Sequence, residues 1–106
     1  RLCMEDIMMK LLHLTLKKKW FDMIASGEKK EEYREIKEYW SDRLTNRSES
    51  YEFREYDVVE FRNGYAKDAP KIKIECKGIT IGKANPEWSD NWQGKVFIIK
   101  LGNIIT

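Results

Sequence analysis

Leu12, Leu14 and Leu16 alternate with His13, Thr15 and Lys17 near the start of the chain. A period of two marks a strand with one buried face, so the leucines turn inward and His13 and Thr15 turn the other way. The period then changes. Trp20, Met23 and Ile24 lie three and four positions apart, which is one face of a helix. Gly27 stops that helix, because glycine enters left-handed geometry at little steric cost. So short a helix is marginal by itself. It must pack over a sheet or plug the end of a barrel.

Residues 30–36 alternate again, with Glu32, Arg34 and Ile36 on one side and Glu31, Tyr33 and Glu35 on the other. Glutamate and lysine are good helix formers, but a helix stop at Gly27 favours a strand here. Residues 39–44 predict a second short helix whose Trp40 and Leu44 share a face. Residues 46–55 are polar and lack a period, as a connection does. Residues 56–62 read as a strand with Val59 and Phe61 on one face, and Asn63-Gly64 as a turn. Residues 71–81 form the clearest strand. Ile72, Ile74 and Cys76 alternate with charged residues, Gly78 bends or bulges the strand, and Ile79 and Ile81 continue the apolar face. Residues 82–94 are irregular and contain Pro86, Trp88 and Trp92, and residues 96–101 form a largely buried central strand. The pattern is mainly β with short α-helices. Curling or closing so small a sheet protects its edges, so a small β-barrel with helical plugs is expected. A ferredoxin-like sandwich needs longer, better-spaced helices.

The 106 residues suffice for one domain and one modest core. That domain is read as residues 10–106, with residues 1–9 a tag remnant or flexible leader. With 20 basic and 18 acidic side chains the net charge is only +2, far from that of a non-specific nucleic-acid coater. Local basic sites at Lys17-Lys18-Lys19 and Lys29-Lys30 are still compatible with it. No apolar run approaches a membrane span and no signal-peptide pattern opens the chain, so no membrane association and a cytoplasmic location are expected. Cys3 and Cys76 make no disulfide framework. His13 is the sole histidine, and with Cys3 and Cys76 it lacks zinc-ligand spacing. No metal site and no cofactor motif is expected. His13 itself reads as a surface or hydrogen-bonded structural residue.

Chemistry concentrates in Ser26-Gly27-Glu28-Lys29-Lys30-Glu31-Glu32-Tyr33-Arg34, where helix gives way to strand. Gly27 permits a tight reversal with approachable backbone N–H groups. Lys29 supplies an ammonium for a phosphate or developing negative charge. Glu32 and Arg34 share a strand face. Arg34 offers a rigid donor fork, and Glu32 is placed to pair with it, orient a ligand amine or relay a proton. The plain alternative is a structural ion network fixing the turn.

The spacing Gly27-x-Lys29-x-x-Glu32-x-Arg34 resembles the signature of the ASCH domain, a relative of the PUA domain in a β-barrel superfamily. Leu14-Thr15-Leu16-Lys17, Trp20-Phe21-x-x-Ile24-x-Ser26-Gly27 and Asp57-Val58-Val59-Glu60-Phe61-Arg62-Asn63-Gly64 extend the resemblance over about residues 10–101. It implies a small PUA-like β-barrel with a cleft beside the signature. It also implies recognition of RNA, a nucleotide or a modified nucleoside. ASCH-like proteins have been linked to RNA metabolism and transcriptional coactivation. Some are amidohydrolases acting on N4-acetylcytidine, and some are associated with ribonuclease activity.

The hydrolase-like members use a lysine, a threonine three residues later and a separate glutamate. Lys29 fits the lysine, but Glu32 stands in the threonine place. A carboxylate there pairs with Lys29 and favours its charged form, which makes a poor general base. Glu60 and Glu75 are the candidates for the separate glutamate. The expected ligand-binding residues are Lys17, Lys19, Gly27, Lys29, Glu32 and Arg34, with Lys29 and Glu32 the catalytic pair if the domain is an amidohydrolase. A protein-interaction module is the third reading. Trp20 and Trp40 are expected to pack helices on the barrel. Trp88 and Trp92 either close the core or cap the cleft and stack a base.

Overall fold

The computed structural model describes residues 9–46, 52–90 and 92–105. Strand β1, Leu11–Leu16, buries Leu12, Leu14 and Leu16 as its alternation requires. Helix α1, Lys18–Ala25, follows at once and buries Trp20, Phe21 and Ile24. Ser26 closes its last turn and Gly27 takes φ 87°, so the chain reverses where glycine was expected to stop the helix. The Lys29 N–H then donates to the Met23 carbonyl at 3.0 Å. That bond ties the turn back under the helix.

Strand β2 is Glu31–Arg34 and helix α2 is Glu38–Leu44. Two very short strands, β3 (Thr45–Asn46) and β4 (Glu52–Phe53), pair antiparallel. They flank the polar connection, whose residues 47–51 lie outside the described residues. Strands β5 (Val58–Asn63), β6 (Lys71–Lys83) and β7 (Lys95–Ile104) complete the chain. The main sheet runs β1-β5-β6-β7-β2 and curls into a half-barrel. Its one parallel pair is β1 with β5; the others are antiparallel. Register shifts fall between Ile74 and Cys76 and between Cys76 and Gly78, at the expected bulge, and Gly78 has φ 134°.

Leu14, Ile24, Leu44, Phe61, Phe97 and Ile99 are central to the main core, inside the curl and beneath α1. A second cluster, Tyr33, Val96 and Ile98, packs with Trp88 and Trp92 on the opposite face of the sheet. The apolar face of β6 stops earlier than expected: Ile79 is buried, but Ile81 is 41% exposed. Cys76 is half-buried against the core, and burial raises its thiol pKa. No helix among the described residues is long and apolar enough to cross a membrane.

The sheet is open between its edge strands, β1 and β2. Among the described residues, Arg34 bridges this seam: its Nη2 on β2 donates to the Thr15 carbonyl of β1 at 3.2 Å.

Candidate functional site

A cavity of about 570 Å³ lies at this seam. Thr15, Leu16 and Lys17 line it from the β1 side, and Glu32, Tyr33 and Arg34 from the β2 side. Trp20 of α1 contributes a wall, Gly64 and Tyr65 a lip, and Trp88, Ser89, Asp90 and Trp92 the remaining side. The volume lies in the range of small-molecule sites, and aromatic rings share the lining with charged and hydroxyl side chains.

Glu32 is the buried polar group of this wall, 4% exposed. Two cations hold its carboxylate. Lys29 Nζ lies 3.1 Å from Oε1, and Arg34 Nη1 donates to Oε2. Arg34 Nη1 also donates to the Tyr33 carbonyl at 3.1 Å, and the guanidinium lies over the Trp40 ring at 5.0 Å. Arg34 Nε is buried with no hydrogen-bond partner. Each carboxylate oxygen has two lone-pair directions, so Glu32 keeps acceptor capacity beyond these two bonds.

Lys29 is placed behind Glu32, not on the cavity wall. It is 1% exposed. Its ammonium donates to the Glu31 carbonyl and lies 4.6 Å from the centre of the Tyr33 ring and 5.4 Å from that of Trp20. Burial lowers its pKa, against the opposing pull of the Glu32 carboxylate. The carboxylate alone would favour the charged form. The desolvation of a lysine drawn under two aromatic rings outweighs it.

The other expected residues separate. Lys17 lines the cavity. Lys19 lies over the Trp20 ring at 4.5 Å and does not line the cavity, nor does Gly27, which shapes the turn. Glu60 pairs with exposed His13 at 3.1 Å, and the Glu75 carboxylate accepts from the Asn103 N–H at 3.4 Å; neither lines the cavity. His13 is thus a surface, hydrogen-bonded residue. Among the described residues, no group of three His, Cys, Asp or Glu side chains is placed to hold a metal ion.

Trp88 and Trp92 both close the core and border the cleft. They pack on Val96 and Ile98 and line the cavity. Hydrogen bonds hold the loop that carries Trp88. The Tyr33 hydroxyl donates to Glu31 Oε1 at 2.6 Å and accepts from the Asn85 N–H at 3.1 Å. The Asn85 side chain accepts from the Glu87 N–H at 3.0 Å, and Ser89 Oγ donates to the Asn85 carbonyl at 3.0 Å. Sequence reasoning gave Tyr33 no role, although it alternates with the two residues singled out. Thr15, Tyr65 and Asp90 also went unmarked, because nothing local links them to residues distant in the chain.

Compared with protein-family models, curated proteins and solved structures, the chain gives no significant match.

Proposed function

We propose that this chain recognises a nucleobase, carried by RNA, a nucleotide or a modified nucleoside, in the cavity between β1 and β2. The observation that carries this reading is the buried Glu32 carboxylate in a cavity walled by tryptophan and tyrosine. Flat heterocycles stack on such rings, and a fixed carboxylate accepts from an exocyclic amine, as it does from cytosine N4. Lys17 at the β1 side adds a cation for a phosphate. The resemblance of Gly27-x-Lys29-x-x-Glu32-x-Arg34 to the ASCH signature supports the same ligand class.

Recognition without hydrolysis fits better than an amidohydrolase. Lys29 has no face on the cavity, so it has no direct path to a substrate atom. Glu32 stands where the hydrolase-like members carry a hydroxyl, and its pairing with two cations suits it to accept a hydrogen bond and not to act as a nucleophile.

Calorimetric titration with the common nucleosides and nucleotides and with N4-acetylcytidine tests this, with product analysis of each mixture. Amine-bearing bases should bind more tightly than uracil, and no deacylation should occur. Glu32→Gln should erase that preference by about tenfold, in line with one good base-edge contact. Absence of binding across the panel would sink the reading. Turnover abolished by Lys29→Met in a folded protein would replace it with the hydrolase.

A further inference from the structure

Trp92 borders two cavities. Beyond the one at the seam, a second of about 440 Å³ is lined by Glu35, Ile36, Trp92, Gln93, Lys95 and Val96. It lies where β2 ends beside the start of β7, since Arg34 pairs with Phe97 in that ladder. A single aromatic ring between two nucleotide-sized spaces is a stacking platform for successive bases of one strand.

The charge beside this second space is matched to a phosphate. Lys95 is on its wall, and Lys83 stands directly opposite Lys95 in the β6–β7 ladder. Both are exposed. Like charges facing each other across a ladder repel, and among the described residues neither makes an ion pair. A bridging anion relieves that repulsion. The one acid on this wall, Glu35, has Lys37 Nζ 3.9 Å from its carboxylate. A free nucleoside uses none of this.

We infer that the ligand is a single strand of at least two nucleotides, one base in the seam cavity and the next beyond Trp92, with the linking phosphate facing Lys83 and Lys95. This rests on the nucleobase reading above and narrows its ligand from nucleoside to strand.

Fluorescence titration with 5′-phosphorylated ribo-oligonucleotides one to four nucleotides long, in each of the four homopolymer series, tests it. Affinity should rise by about tenfold or more from one nucleotide to two, the scale of one additional stacked base. The exposed double variant Lys83→Ala/Lys95→Ala should lose most of that gain and leave mononucleotide affinity unchanged. Trp92→Ala should weaken both. Equal affinity for one and two nucleotides would overturn the strand inference and leave the nucleobase reading standing. A gain that survives loss of both lysines would overturn the assigned phosphate path. Failure of every oligonucleotide to bind would overturn the strand inference, while the nucleoside titration above decides the nucleobase reading separately. Binding of a longer peptide in their place would assign the groove to a protein partner.

Discussion

Lys29 shows how a motif residue acquires a role that spacing does not disclose. Its offset from Glu32 correctly places the two together, and they meet at 3.1 Å. Spacing says nothing of depth, because depth depends on Trp20 arriving from α1 and Tyr33 from β2 to cover the side chain. Lys29 is therefore a positioning residue that fixes the Glu32 carboxylate from behind. Removing one partner of a buried pair leaves the other charge poorly compensated. Lys29→Met should cost about 3 kcal/mol in urea unfolding, the lower end for such a loss, because Arg34 still holds Glu32. Adding Glu32→Gln to that variant should recover part of the loss. Wild-type stability in Lys29→Met would discard the argument. A pH signature accompanies it. Burial holds the folded Lys29 pKa below its ordinary 10.5, so between those two values the unfolded chain binds more protons. The contribution of this residue to stability therefore rises with pH through that window. The wild type should gain stability relative to Lys29→Met as pH climbs toward 10.5, measured by denaturant midpoints.

At the scale of elements, the period was a guide to type and to the buried face in most of the longer elements. The leucines of β1 and the alternation of β6 as far as Ile79 are found as their spacing dictates, and on α1 Trp20 and Ile24 are buried as expected, with Phe21 buried beside them and Met23 only partly so. The β3–β4 pair was not legible, since strands of two residues carry no period. The early end of the β6 apolar face at Ile81 was hidden as well, because it reflects where the core stops. Gly27 was legible for a physical reason that substitution tests. A Cβ there would meet nothing within 4 Å, so the only penalty is the left-handed backbone. Gly27→Ala should lower stability by about 1 kcal/mol, seen as a fall in Tm with far-UV dichroism unchanged. An unchanged Tm would mean that the turn tolerates another backbone geometry.

The whole molecule is a sheet that curls without closing, and a cavity lies in the gap. That arrangement could be anticipated only in part. Alternating strands in a short chain imply a curled sheet, but which edges approach each other depends on the β1-β5-β6-β7-β2 order, and no local pattern encodes it. Glu32 and Arg34 were legible as a pair; Thr15 as the opposite bank was not. Arg34 spans the gap as a strap, with its fork divided among Glu32, the Tyr33 carbonyl and the Thr15 carbonyl. Lysine keeps the charge but has no planar fork to serve three acceptors. Arg34→Lys should therefore cost about 2 kcal/mol, typical of a lost charge-assisted hydrogen bond. The effect should be local as well as global. Amide exchange should accelerate in β2 more than in β6, which is flanked by strands on both sides, and ligand affinity should fall as the two banks separate. If β2 and β6 lost protection equally, Arg34 would be one stabilising contact among many. If β2 alone loosened while the ligand still bound at full strength, the cavity would not depend on closure of the seam.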